Sequence, residues 1–253
     1  MANMWRKSWA AAILCAAPFT VLQAQPASTG QKTSLIDAWL AMPNVGQVAW
    51  PYAFITADST DESQKARRSD LFDQFDQLKW RLGERGYTRL VKTVTQWKSE
   101  LSKTRHYRQP GDWSPAWLLS HPHERPPVAR VASLGYCHTP DTVQVWDEAG
   151  VHQVAWRPGL RLSDLLDEDS ALKGGGTDEV AVISPRGHVD HYGVAAWNYA
   201  DTDLLPGTRV VGAIDLKGAV FPWMRDEIAG LLAHTPSGAA CRSFPLSQGA
   251  NNG

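Results

Sequence analysis

Three groups of residues in this chain are of types that do chemistry, and their spacing decides what each is able to do. His188-Val189-Asp190-His191 comes nearest to a metal motif. Side chains alternate along an extended chain, so His188 and Asp190 share a face and His191 points away, which leaves two converging ligands where zinc takes three or four. His121-Pro122-His123 sits among prolines and supplies no third ligand. Lys173-Gly174-Gly175-Gly176-Thr177 has the glycines of a phosphate loop, but they follow a helical pattern, whereas such a loop leaves a strand and opens a helix. A helix-ending turn accounts for it better. No nucleophile elbow is present, and spacing does not establish a catalytic carboxylate pair. The reading is therefore of no catalytic residue, no metal and no cofactor.

Tryptophan is the anomaly of the composition, with 12 in 253 residues. Aromatic faces stack on the C–H faces of sugars and also fill cores. Trp39, Trp146, Trp156 and Trp197 fall in regular elements and are expected in the core. Trp113 and Trp117 stand in an irregular stretch rich in Pro and Gly, where exposure is expected, and Arg125 and Arg130 are close by in sequence to offer hydrogen bonds. These four are the candidate contacts for a glycan or a protein, because binding residues concentrate on loops. Cys137 and Cys241 form either a disulfide or two free thiols.

The first residues run Met1 to Lys7 with a positive flank, then an uncharged apolar run from Trp9 to Leu22, then small residues. This is the order of a secretory leader, with cleavage expected after Ala24. The run is too short for a membrane span and Pro18 interrupts it. The mature chain is expected to be periplasmic, without a transmembrane segment. The net charge of −1 shows no basic excess, so no nucleic-acid partner is expected.

The elements behind these residues follow from periodicity. Ser34 to Met42 has apolar residues at helical spacing, and Val45 to Ile55 reads as extended around Pro51. Ser59 and Glu62 stand in capping-box relation. Leu71, Phe72, Phe75, Leu78 and Leu82 then make one helical stripe, and Leu90, Val91, Val94, Trp97 and Leu101 repeat it beyond Gly83-Glu84-Arg85-Gly86. The pair predicts an antiparallel helical hairpin over residues 61–104. Asp112 to Pro127 reads as an irregular connector, and Val128 to Cys137 as a strand. From Thr142 to Ile214 the order is strand, strand, helix, strand, strand, strand, an α+β unit that reads as a β-grasp. Met224, Ile228, Leu231 and Leu232 line one face of a closing amphipathic helix. That face either packs on a sheet or docks in a partner's groove, while Arg225, Asp226 and Glu227 on the polar side argue against a membrane surface. The tail 237–253 is expected to be disordered.

The phrases Arg157-Pro158-Gly159-Leu160-Arg161-Leu162-Ser163-Asp164-Leu165, Ser184-Pro185-Arg186-Gly187 and Leu205-Pro206-Gly207-Thr208-Arg209-Val210 resemble the ligand-binding β-grasp modules of outer-membrane polysaccharide export proteins. With Ser34-Leu35, Trp50-Pro51, the hairpin, Ala196-Trp197-Asn198 and Pro222 to Leu232 in that order, the chain resembles the GfcC-like capsule-biosynthesis family. The resemblance implies two β-grasp domains, 25–138 with the hairpin inserted and 139–218, then the amphipathic helix over 219–236. Between Gln25 and Thr33 there is room for at most one of the two strands that a complete first domain needs, so that domain is incomplete or completed by a partner strand. The family implies a non-enzymatic periplasmic accessory protein that binds polysaccharide or outer-membrane polysaccharide export proteins. A polysaccharide-modifying enzyme and a small-ligand sensor are the competing readings.

Overall fold

The computed structural model describes residues 34–168, 172, 178–212, 215–216 and 219–246. The expected leader over 1–24, the glycine run 174–176 and the last residues of the tail lie outside the described residues. The described chain is α+β.

Helix α1 (Leu35–Leu40) starts with a reciprocal box, in which Ser34 Oγ accepts the Asp37 N–H at 3.1 Å and Asp37 accepts the Ser34 N–H at 3.0 Å. The stretch after it, expected extended, makes two 3-10 turns (Val45–Gln47 and Trp50–Tyr52) before strand β1 (Ala53–Thr56), with Pro51 inside the second turn. Helix α2 (Asp58–Glu84) begins on Ala57 with no side-chain cap, so the Ser59–Glu62 box is not used. Asp58 and Asp61 put negative charge in its first turn, where the helix dipole favours it. Helix α3 (Thr88–Ser102) returns along α2: Lys98 meets Asp76 at 2.6 Å, and Arg68 reaches the Thr104 carbonyl at 2.5 Å. The stretch expected to be irregular contains α4 (Pro115–Ser120), capped by Ser114, whose Oγ accepts the Trp117 N–H, with proline in the first turn. The strand expected from Val128 is shorter, because Val128–Arg130 is a 3-10 turn and β2 spans Ser133–His138.

Five strands form the larger sheet: β3 (Thr142–Asp147), β4 (Gly150–Ala155), β5 (Glu179–Ile183), β6 (Val189–Gly193) and β7 (Arg209–Val211), with α5 (Leu162–Glu168) between β4 and β5. Their spatial order is β4-β3-β7-β5-β6, with β3 and β7 parallel and every other neighbour antiparallel. Period-two alternation sends the two faces to different partners. Val143, Val145, Val180, Val182 and Val210 pack with Leu162, Leu165 and Leu166 of α5. On the other face Trp146, Ala181, Ile183 and Val211 pack with the α2 and α3 stripes and with helix α6 (Pro222–Ala233). A short ribbon of β8 (Asp215–Leu216) and β9 (Ala219–Val220) precedes α6.

The tail corrects the sequence reading. Ala239–Pro245 is strand β10, paired antiparallel with β2, whose other edge carries β1. Cys137 of β2 and Cys241 of β10 are joined by a disulfide. The polar composition of the tail gives no strand signal, because its hydrogen bonds come from the backbone and its order from the edge of β2.

Candidate functional site

A cleft of about 740 Å³ opens between the three-stranded sheet and the end of the α2–α3 pair. Phe54, Leu101, Trp146 and Leu232 give it apolar surface. Asp58 and Asp61 enter from the start of α2, Glu100, Lys103, Arg105 and His106 from the end of α3, Gln144 and Arg209 from the large sheet, and Cys241, Arg242 and Ser243 from β10. The disulfide therefore fixes one wall.

Its charges divide into fixed and open groups. Lys103 is paired with Glu100, and Lys65 with Asp61. Burial pushes the Asp61 carboxyl up, but the bonds from Lys65 and the Tyr107 N–H outweigh it and hold the group below its ordinary value. Arg209 donates through Nη1 to the carbonyls of Leu232 (2.9 Å) and Thr235 (3.0 Å), and through Nη2 to Pro236 (2.8 Å), so its charge closes the end of α6. Burial brings its guanidinium down to about 10. Arg105 and Arg242 are exposed and have no ion-pair partner among the described residues. An open cleft with two exposed guanidinium groups suits an extended anionic ligand held by charge-assisted bonds.

The predicted contacts do not gather here. Trp113, expected exposed, is 7 % exposed and packs with Trp39, Leu118 and Leu134, its Nε1 donating to the Gln109 carbonyl at 3.1 Å. Trp117 is half-buried on the same core and stacks on His121 with ring centroids 4.4 Å apart. Arg125 is spent on the end of α4, where it donates to the carbonyls of Leu118 and Leu119, and Arg130 is exposed on a separate turn. The four are not a platform, because α4 folds the stretch onto the core. Met224, Ile228, Leu231 and Leu232 are buried among the chain's own α2, α3 and β5, so that face is not free for a partner. His188 Nε2 lies 3.0 Å from Asp190 Oδ1 on the surface, while His191 turns toward Asp226 at 4.0 Å. Among the described residues no three His, Cys, Asp or Glu side chains come together as metal ligands would, and no helix is long and apolar enough to cross a membrane.

Sequence reasoning missed the cleft, since its walls come from segments nearly 200 residues apart. It also placed Trp197 in the core, whereas Trp197 is 76 % exposed and Tyr199 52 %. The turn that carries them leaves the sheet after β6.

Residues 150–233 match the family model described as capsule biosynthesis GfcC C-terminal. This part of the chain is similar to the GfcC C-terminal domain. The GfcC match begins at β4 and ends with α6, so it takes in Arg209 and the helix end that Arg209 closes, and leaves β1, β2, β10 and the α2–α3 pair outside. No curated protein matches the chain.

Proposed function

We propose that this chain is a periplasmic, non-enzymatic accessory protein of capsule or exopolysaccharide assembly, and that its cleft holds a strand of acidic polysaccharide. The carrying observation is the cleft itself: about 740 Å³, with the exposed Arg105 and Arg242 in its lining and no ion-pair partner for either among the described residues. Cavities of a few hundred to a thousand Å³ suit ligands of several rings. The GfcC match supports the capsule context, and the leader-like residues 1–24 support export. The β4-β3-β7-β5-β6 order, with a single crossover helix, is read as a β-grasp domain beginning near Thr139. The three-stranded sheet is read as the remainder of a first β-grasp domain with α2–α3 inserted, its third strand supplied by β10 rather than by a partner.

The test is calorimetric titration of the mature protein with surface polysaccharide purified from the source strain, at low and high salt. Binding that weakens with salt, and falls about tenfold or more in the R105E/R242E variant, is the expected result, since a charge-assisted bond is worth about 1.5–3 kcal/mol. Binding only to a purified outer-membrane export protein would move the ligand from polysaccharide to machinery. A deletion strain with normal surface polysaccharide would end the reading.

A further inference from the structure

The turn after β6 holds two aromatic rings out from the fold, and its backbone is fixed for the purpose. Gly193 closes on Tyr199 in a parallel bridge, and the Ala200 N–H donates to the Gly193 carbonyl at 3.0 Å. Asn198 pins the turn from inside: its N–H donates to the Ala195 carbonyl at 3.1 Å, its Oδ1 accepts the Ala195 N–H at 3.1 Å, and its Nδ2 donates to the Asp178 carbonyl at 2.8 Å. A Cβ at position 193 would run into the Asn198 carbonyl, so the approach requires glycine. Trp197 and Tyr199 are thus held at 76 % and 52 % exposure by a built scaffold.

Polar groups follow on the same stretch of chain, at positions 201 and 203, and are bonded to Arg161 and Ser163. Asp201 Oδ2 accepts from Arg161 Nε at 2.7 Å and from Ser163 Oγ at 3.0 Å, and its Oδ1 accepts the Ser163 N–H at 3.0 Å. Arg161 and Asp203 face one another across a backbone bridge, with Nη1 3.6 Å from Oδ1, and the Asp203 side chain is 77 % exposed. The Tyr199 phenol is within electrostatic reach of Arg161.

We infer that this corner binds a neutral pyranose unit of a polysaccharide, with Trp197 stacking on the C–H face of the ring and Asp203 and Arg161 engaging its hydroxyls. An indole face carries negative charge density that suits polarised C–H groups. A carboxylate accepts from hydroxyls and a guanidinium fork donates to them, and both are already oriented here. Charge selects against an acidic sugar, because Asp164, Asp201 and Asp203 outnumber Arg157 and Arg161. Size selects against a protein: the two rings offer on the order of 300 Å², against roughly 800 Å² on each side of a stable protein interface. The inference shares a saccharide ligand with the functional reading but uses a different site.

The experiment uses the mature full chain and follows the Trp197 indole N–H resonance, assigned by comparison with W197F. The probes are cellohexaose, laminarihexaose, oligosaccharides from hydrolysed surface polysaccharide of the source strain, and oligogalacturonate as the acidic counterpart. The expected result is a saturable shift with a neutral probe, none with oligogalacturonate, at least tenfold weaker binding in W197A and Y199A, and weaker binding in D203N. These variants keep the wild-type melting temperature, as exposed positions should, and R105E/R242E keeps the neutral-sugar response. A Trp197 resonance that no neutral probe moves, or W197A binding with wild-type affinity, overturns the inference. Loss of the response in R105E/R242E alone overturns it too, and leaves the cleft reading standing.

Discussion

Arg108 and Arg209, a hundred residues apart in sequence, close the same helix end. Arg108 Nε donates to the Ala233 carbonyl at 3.2 Å, and Arg209 Nη1 to the Leu232 carbonyl at 2.9 Å. The last carbonyls of a helix lack intrahelical donors and carry its negative pole, so two cations there satisfy both needs. Arg108 also donates to Pro185 at 2.6 Å, and its backbone N–H to His234 at 2.7 Å. Burial, with the Arg209 charge nearby, brings its guanidinium down to about 9. The two side chains thereby tie α6 to the turn before β6 and to the wall of the cleft.

Truncating Arg108 removes the side-chain donor from the Ala233 and Pro185 carbonyls. R108A is expected to lose about 1–3 kcal/mol, the range for leaving a buried acceptor unsatisfied, with urea denaturation as the measure. R209A, which is less enclosed, is expected to lose less.

Gly187 occupies the space that lets this network close. Its φ is +87°, its N–H donates to the Ser184 carbonyl at 2.9 Å, and a Cβ there would collide with the Ala233 carbonyl and come within 3.0 Å of Arg108 Nη2. G187A is expected to destabilise by more than about 1 kcal/mol, the usual scale of a left-handed mismatch, and a melting temperature equal to wild type would refute the packing argument.

The disulfide closes a loop of 104 residues. Cross-links of that span contribute about 2–5 kcal/mol in the chain-entropy account. A C137S/C241S variant is therefore expected to unfold at lower denaturant, and to become cleavable by protease within residues 238–246, where only the β2 edge then holds the strand.

His234 sets a pH dependence. Burial holds its imidazole below the ordinary value, aided by the charges of Arg67 and Arg108 and opposed by its bond to the Gly230 carbonyl at 2.9 Å. A base whose pKa is lowered by folding leaves the unfolded chain holding more protons between the folded value and about 6.5, so stability rises with pH through that window and falls on acidification. Wild type is expected to lose melting temperature from pH 7 to 5, and H234N to lose less. Equal slopes would assign the effect elsewhere.

Tryptophans separate by burial. W146A removes a ring that is 1 % exposed and packs edge to face on Trp97 at 6.1 Å, and is expected to cost about 3–5 kcal/mol. W80A, at a ring 68 % exposed, is expected to stay within about 0.5 kcal/mol of wild type. Thermal unfolding of the two variants checks the contrast.

What the sequence alone determined was whatever repeats along the chain. The stripes of α2 and α3, the β3–β4 pair, the proline–glycine turn at 184–187 and the apolar face of α6 were legible because each depends on side chains a few residues apart. Only the tertiary structure decided the rest. Strand β10 pairs through backbone groups that every residue possesses, and the edge of β2 that orders it lies a hundred residues away. Trp113 is covered because it packs with residues of α1 and α4, and Trp197 is bare on the turn after β6. Arg105, Arg209 and Arg242 became neighbours of one cleft only when three separate segments closed around it. Burial and convergence are properties of what a residue meets, and spacing along a chain reports only what it is able to meet nearby.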